Sequence, residues 1–538
     1  MILLNTKNNH FNLDSPVGRV LWYILSIFWQ GTTTRQTTFC KEGKRHQGTE
    51  RIAHNTCGAL TKWLNFLRLK ITTFSKRYQS HQHSSAESWF NSAFLFKFAS
   101  QFIIFSFLIT FLPLSSYANT QSFTLANGLK LIVKEDHRAP TAVQMVWYKA
   151  GSIDEHNGTT GLAHALEHMM FKGTKNIASG EFSAKIAALG GRENAFTSKD
   201  YTAYFQQIDR SKLEAVMALE ADRMHNLNLN EEEFSKEIKV IMEERRLRTD
   251  NQTSGQIFET LYANAFTAHP YRHPIIGWMN DLENMSIQDV QQWYNTWYAP
   301  NNAILIIGGN VNTQEVLNWA KKYYEIIPAK QVPTTKPQKE PVQKGIRRIN
   351  LKAVAQNPQL VLAYQAPSLP YSTKQEDADA LEILAAVLNG YDNARFNARL
   401  IRNKKIATDI NTDYSHIGRG PGLFIIAATP TEKTSLTELE KQLKSEVKTI
   451  SEQGISETEL ARIKTQLIAQ QIYKRDSLFG QIMEIGLLES FGLDYTQSDT
   501  ILKRLQNVTK EQVRSVAKQY FNDDTLTVLT LTPIPLQK

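Results

Sequence analysis

Cysteine is nearly absent from this 538-residue chain: Cys40 and Cys57 are the only two, and none follows. That excludes a disulfide framework, a thiolate-held metal and a thiol nucleophile from the remaining length. Long apolar runs are missing as well. The run Phe102–Leu114 covers 13 residues without a charge, short of the roughly 20 that a spanning helix needs. Excess charge is confined to one end. The net charge is +9, from 61 Lys and Arg against 52 Asp and Glu. Residues 1–118 hold 13 basic and 4 acidic side chains, leaving 48 of each in residues 119–538. A general electrostatic affinity for nucleic acid therefore has no support in the last four-fifths of the chain.

What is present begins with a targeting pattern. The apolar run ends in Pro113 and small residues, with Ser116 and Ala118 at the −3 and −1 positions of a signal-peptidase site and Lys97 upstream. Residues 91–118 thus read as a secretory signal peptide. The alternative is an uncleaved anchor over residues 93–114, the one basis for membrane attachment. Either way the protein is expected to be exported, to the periplasm or an equivalent compartment. Residues 1–90 lack sustained periodicity and are too long for the start of a signal, so they read as a disordered leader or a mis-called start.

The remainder mixes strand and helix patterns. Phe123–Asp136 (FTLANGLKLIVKED) is two alternating runs about Asn127-Gly128, a hairpin signal. Residues 142–150 and 201–208 read as strands; 162–171, 182–189, 213–224, 231–248 and 287–298 read as helices, with a strand at 303–307. Residues 327–347 carry four prolines and four lysines with little apolar periodicity, the composition of a linker. Beyond it the pattern returns. QMVWYKAGS at 144–152 matches LVLAYQAPS at 360–368, and the stretch from Ser286 parallels that from Thr509. The expected fold class is α+β, with similar domains at 119–326 and 348–538.

His164-Ala-Leu-Glu167-His168 carries the chemistry. On a helix, residues four apart share a face, so both imidazoles can reach one ion. Zinc takes neutral imidazole and, in catalytic sites, leaves one position open for water. Glu167, beside that face, can take a proton from such a water and return it to a leaving amine. The ordinary alternative is a solvated amphipathic helix. A third ligand is available at 231–248, where Phe234, Ile238 and Ile241 form an apolar stripe. Glu237 and Glu244 fall on this stripe, whereas Glu231, Glu232, Glu233 and Glu243 belong with solvated charges. A carboxylate on a buried stripe is costly unless paired or metal-bound. Glu244 is the expected ligand, and Glu237 the expected support for a ligand histidine.

These residues resemble the M16 peptidases, the group of pitrilysin, insulin-degrading enzyme and mitochondrial processing peptidase. His164–His168 is similar to that family's HxxEH inverted zinc motif, with the distal Glu 76 residues after the second His in EIKVIMEERR. GGRENAFTSKDYTAYF at 190–205 is similar to the family's strand beside the metal. The likeness covers residues 121–535 and looks nearest to exported bacterial members. It implies two homologous domains, each an antiparallel-rich sheet packed with helices, the first binding one zinc and the second without a metal site. It implies a zinc endopeptidase acting on peptides or unfolded segments, with His164, His168 and Glu244 as ligands, Glu167 activating a zinc-bound water, and Glu237 supporting the site. Asn194 and Ala195 would lie along an edge strand that pairs with extended substrate.

One departure stands out. Active members of the family often carry an Arg followed seven residues later by Tyr in the second domain. Here RLIRNKKIATD keeps Arg402, a candidate substrate contact, but has Asp409 where that Tyr would sit. A carboxylate there would repel a developing oxyanion. The expectation is that a second chain of the same type supplies the missing group, in a homo- or heterodimer. The alternative from another class is a non-catalytic scaffold subunit that binds peptide without cleaving it.

Overall fold

The computed structural model describes residues 120–372 and 374–535. The leader at 1–90 and the signal or anchor segment at 91–118 lie outside the described residues. Among the described residues, no helix is long and apolar enough to cross a membrane.

The hairpin is present: Thr120–Thr124 (β1) pairs antiparallel with Lys130–Glu135 (β2). Its turn uses Gly128 at φ +87°, a region that side-chain-bearing residues avoid. Thr141–Tyr148 (β3), Arg192–Thr197 (β4), Thr202–Asp209 (β5) and Ala303–Gly309 (β6) complete a six-stranded sheet ordered β1-β2-β6-β3-β5-β4. β4 is therefore an edge strand. Arg347–Val354 (β7) and Gln359–Ala366 (β8) begin a second sheet, and Leu369–Pro370 (β9) belongs to a short separate ladder with Ile417–Gly418 (β11). Ala407–Tyr414 (β10), Gly422–Pro430 (β12) and Leu526–Ile534 (β13) finish the second sheet, ordered β10-β12-β8-β13-β7.

The two sheets share an order. Taken from β7, the second runs β7-β13-β8-β12-β10; taken from β2, the first runs β2-β6-β3-β5-β4. Directions agree at each step, parallel for β2 with β6 and for β7 with β13, antiparallel elsewhere. The matching segments at 144–152 and 360–368 run through the central strands β3 and β8.

Helices cover one face of each sheet. On the first lies Leu162–Met169 (α1), with Glu231–Arg245 (α2) packed against it. Thr253–Ala265 (α3) follows, then Ile287–Trp297 (α4), which packs on the first sheet with α1. The opposite faces are covered by exchange. Ile482 and Ile485 of Leu478–Ser490 (α5) pack on Met145, Trp147, Ile304 and Ile306 of the first sheet. Conversely, Ile257, Leu261 and Ala265 of α3 pack on Val361, Ala363, Leu423 and Leu529 of the second. With both faces buried, β3 and β6 show no polar–apolar alternation and read as nearly continuous apolar runs. Lys510–Tyr520 (α6) packs on the second sheet, as α4 does on the first. Each of these two helices starts with a capping box, Ser286 with Asp289 and Thr509 with Gln512.

The helix expected over 231–248 stops at Arg245, and a π-helical turn takes Arg246–Asp250. That turn lies against α3 so closely that a Cβ on Gly255 would sit 2.4 Å from the Arg248 carbonyl oxygen. The helix expected over 162–171 ends at Met169. Residues 328–344 form neither helix nor strand, yet they are tied down. The Glu340 carboxylate accepts the N–H groups of Thr267, Ala268 and His269 at 2.7, 2.9 and 2.9 Å.

Candidate metal centre

Helix α1 is fixed at its start by residues that precede it. Gly161 adopts φ +90°, and a Cβ there would lie 2.7 Å from the Ile276 carbonyl oxygen, so only glycine fits the turn. The first amides of a helix have no partner within it. Here Glu155 accepts from Gly161 N–H and Ala163 N–H, both at 2.8 Å. Burial pushes the Glu155 carboxyl up to about 8, with those two bonds opposing. Asp281 accepts from the N–H groups of Gly158 and Thr160 at 3.2 and 3.1 Å. The apolar residues Leu162, Ala163, Ala165, Leu166 and Met169 face the core, which turns His164, Glu167 and His168 towards α2 and β4.

On α2, Phe234, Glu237 and Ile241 are buried, Glu244 is partly buried and Glu243 is exposed. One oxygen of Glu244 faces both imidazoles, 3.3 Å from His168 Nε2 and 3.8 Å from His164 Nε2. One donor atom from each of the three residues falls within 4.8 Å of the others, the one such cluster among the described residues. Two ligand atoms bound about 2.0–2.1 Å from a tetrahedral ion stand about 3.3 Å apart, so this spacing and the two-nitrogen, one-oxygen set fit zinc. The other Glu244 oxygen pairs with Arg248 at 2.6 Å. His164 Nδ1 is buried and has no hydrogen-bond partner among the described groups.

The surrounding hydrogen bonds orient the cluster. His168 Nδ1 lies 2.8 Å from Glu237 Oε1, whose second oxygen accepts from Lys172 at 2.5 Å. With Glu237 accepting, the proton sits on Nδ1 and leaves Nε2 with a free lone pair. Burial pushes Glu237 up, but the bonds from His168 and Lys172 outweigh it and hold its pKa below the usual carboxylate range. Burial pulls His164 down to about 3, with His168 and Arg248 acting the same way, so the ring is neutral near pH 7. Burial raises Glu167, opposed by a hydrogen bond from the Thr197 hydroxyl.

The cluster opens into a cleft of about 880 Å³. One wall is the edge strand β4, whose Asn194, Ala195, Phe196 and Thr197 all line it. The other wall includes Phe258 and Tyr262 of α3. Of the residues singled out in the sequence, His164, Glu167, His168, Glu237, Glu244, Asn194 and Ala195 come together here. Arg402 does not line this cleft. It lies in a π-helical turn, Phe396–Asn403, and its guanidinium turns back to donate to Asp392 O and Asn393 Oδ1. Asp409 is exposed on β10, where it accepts from the Asn411 side chain. Pattern reading did not single out Glu155, Thr197, Lys172 or Arg248. Thr197 stands inside the quoted 190–205 segment, and Arg248 is one turn past Glu244, so both had a signal.

Comparison with known proteins points one way. Residues 130–278 match the family described as Insulinase (Peptidase family M16), and residues 284–467 the Peptidase M16 inactive domain. The chain is 32% identical over 431 residues to the zinc protease PqqE of Helicobacter pylori, covering 77% of this chain and 93% of that one. It is 26% identical over 438 residues to a probable mitochondrial-processing peptidase subunit beta of Arabidopsis thaliana, covering 78% and 79%. A crystal structure of a protease from Helicobacter pylori superposes with a TM-score of 0.73 at 29% identity, over 78% of this chain and all of that one.

Proposed function

The chain belongs to the M16 peptidase family, and from that premise we propose that it is a zinc-dependent endopeptidase of peptides or unfolded protein segments. One observation carries the reading. His164, His168 and Glu244 converge at the base of a cleft whose wall is an unpaired strand edge, with Glu167 on the same helix face. His164, His168 and Glu244 would hold one zinc per chain. Bound there, zinc supplies Lewis acidity towards a carbonyl and makes water easier to deprotonate.

The other roles belong to the protein. β4 offers unpaired backbone groups to an extended peptide, beside Asn194 and Ala195. Glu167, held by the Thr197 hydroxyl, would as its carboxylate take a proton from the attacking water and deliver it to the leaving amine nitrogen. Glu237 and Lys172 keep His168 in one tautomer.

The same proposal covers organisation. Residues 119–326 form the zinc domain, 327–347 a linker, and 348–538 a homologous second domain without a metal site, a reading supported by the shared strand order. A second chain of the same type completes the active site, since Arg402 lies outside the cleft. Export rests on residues 91–118 alone. The rival reading, a subunit that binds peptide without cleaving it, draws on the inactive-domain description of residues 284–467. Cleavage of an unstructured peptide by the zinc-loaded protein, abolished by chelator and restored by zinc, tests the proposal. Binding without cleavage, with a partner chain present or absent, would favour the rival.

A further inference from the structure

The turn from β4 to β5 brings Lys199 into the cleft wall. Its ammonium lies 3.3 Å from the centre of the Tyr262 ring and 5.3 Å from that of Tyr271, and it donates to the Tyr271 carbonyl at 2.8 Å. An ammonium has three N–H donors, and this is the one hydrogen bond it makes among the described residues. No Asp or Glu of the described residues pairs with it within 4.0 Å. Its neighbour Asp200 is committed elsewhere, accepting from the Tyr271 hydroxyl at 2.7 Å. Arg419, donating to the Asp200 carbonyl at 3.0 Å, is itself engaged by both oxygens of Asp154 at 2.9 and 3.0 Å.

Three of the acidic side chains in and beside the cleft are matched by cations, and Glu167 is held by the Thr197 hydroxyl. Glu237 pairs with Lys172, Glu244 with Arg248, and Glu259 with Arg245. Lys199 and Arg272 remain as cleft-lining cations without a carboxylate partner among the described residues. A half-buried ammonium over an aromatic floor, with donors to spare, gains most from an incoming anion. Lys199 also stands two residues beyond Thr197, whose hydroxyl holds Glu167. Lys199 and Glu167 line the same cleft, so both can face one bound peptide.

We propose that Lys199 is a specificity-determining residue of the cleft, receiving an acidic side chain of the substrate peptide bound there. The inference rests on the peptidase reading of the same cleft. A carboxylate there forms charge-assisted hydrogen bonds with the free donors, a neutral amide gains less, and a basic side chain meets repulsion from Lys199 and Arg272. Burial pushes the Lys199 pKa down to about 7, with Asp200 opposing. The groups facing it are Tyr262 of α3, Tyr271, and the imidazoles of His269 and His273, which burial holds near 4 and so uncharged. The preference therefore weakens as pH rises from 7 towards 9.

The test uses the full chain, zinc-loaded and carrying Glu167→Gln to stop turnover. A single Glu is walked through a short, neutral, unstructured labelled peptide, with Gln at the same positions as control, and anisotropy gives Kd. At one position Glu should bind about 10-fold tighter than Gln. The difference should vanish in a Lys199→Met background, survive Lys199→Arg, and fade above pH 7. Equal Kd for Glu and Gln at every position would overturn the inference, and that comparison needs no change at Lys199. So would a Glu preference that persists in Lys199→Met. If the unmutated enzyme, with and without a second chain of its type, cleaves none of the peptides while the Glu preference holds, the peptidase reading fails and the role of Lys199 in peptide binding stands.

Discussion

Replacing Glu237 by Ala separates support of the metal site from ligation of the metal. Glu237 contributes no atom to the three-residue cluster, yet it accepts from His168 Nδ1 at 2.8 Å and from Lys172 at 2.5 Å. In Glu237→Ala the His168 ring loses the partner that sets its tautomer and angle, and the Lys172 ammonium loses its counter-ion. Removing such a partner of a ligand histidine costs about 10–100-fold in metal affinity, equivalent to about 1.4–2.7 kcal/mol. One hydrogen bond to a charged group is worth about 1.5–3 kcal/mol, the same range. Glu237→Gln should fall between, because its amide oxygen can still accept from His168 while its amide nitrogen faces Lys172. Competition for zinc against a chromophoric chelator measures this without reference to activity. Glu244→Ala, which deletes a proposed ligand, should lose more. Wild-type zinc affinity in Glu237→Ala would refute the reasoning.

Two further predictions concern what places the site. Glu155→Ala strands the buried amides of Gly161 and Ala163 at the start of α1 and should cost about 1–3 kcal/mol in urea denaturation; an unchanged midpoint would mean that water satisfies them. Gly486→Ala sets a methyl group 2.1 Å from the Trp147 indole, where α5 lies on the first sheet. It should destabilise by about 1–3 kcal/mol, net of the gain in helix propensity, and a stabilised variant would show that the helix sits farther out.

Local chemistry was legible in the sequence because it depends on spacing. The i and i+4 histidines, the apolar stripe bearing Glu237 and Glu244, and the Asn127-Gly128 turn are all fixed by a few neighbouring residues. What escaped was contributed over long distances. Periodicity tells which side of a helix is buried but not what covers it, so the exchange of α3 and α5 between the sheets left no readable trace. Glu155 reaches α1 across a loop, and Lys199 meets Tyr262 of α3, a helix 54 or more residues further along the chain. Arg402 illustrates the converse: its spacing to position 409 invited a role in the cleft, but local acceptors at Asp392 and Asn393 take its guanidinium.

Glu167 is proposed to perform proton transfer at a zinc site built from His164, His168 and Glu244. That role is tested most directly by the rate at which an unstructured fluorogenic peptide is cut by the unmutated protein and by Glu167→Gln, each verified to carry one zinc per chain. Equal zinc content and a rate about 10²–10⁴-fold lower in the variant are expected. Undiminished cleavage by zinc-loaded Glu167→Gln would contradict it.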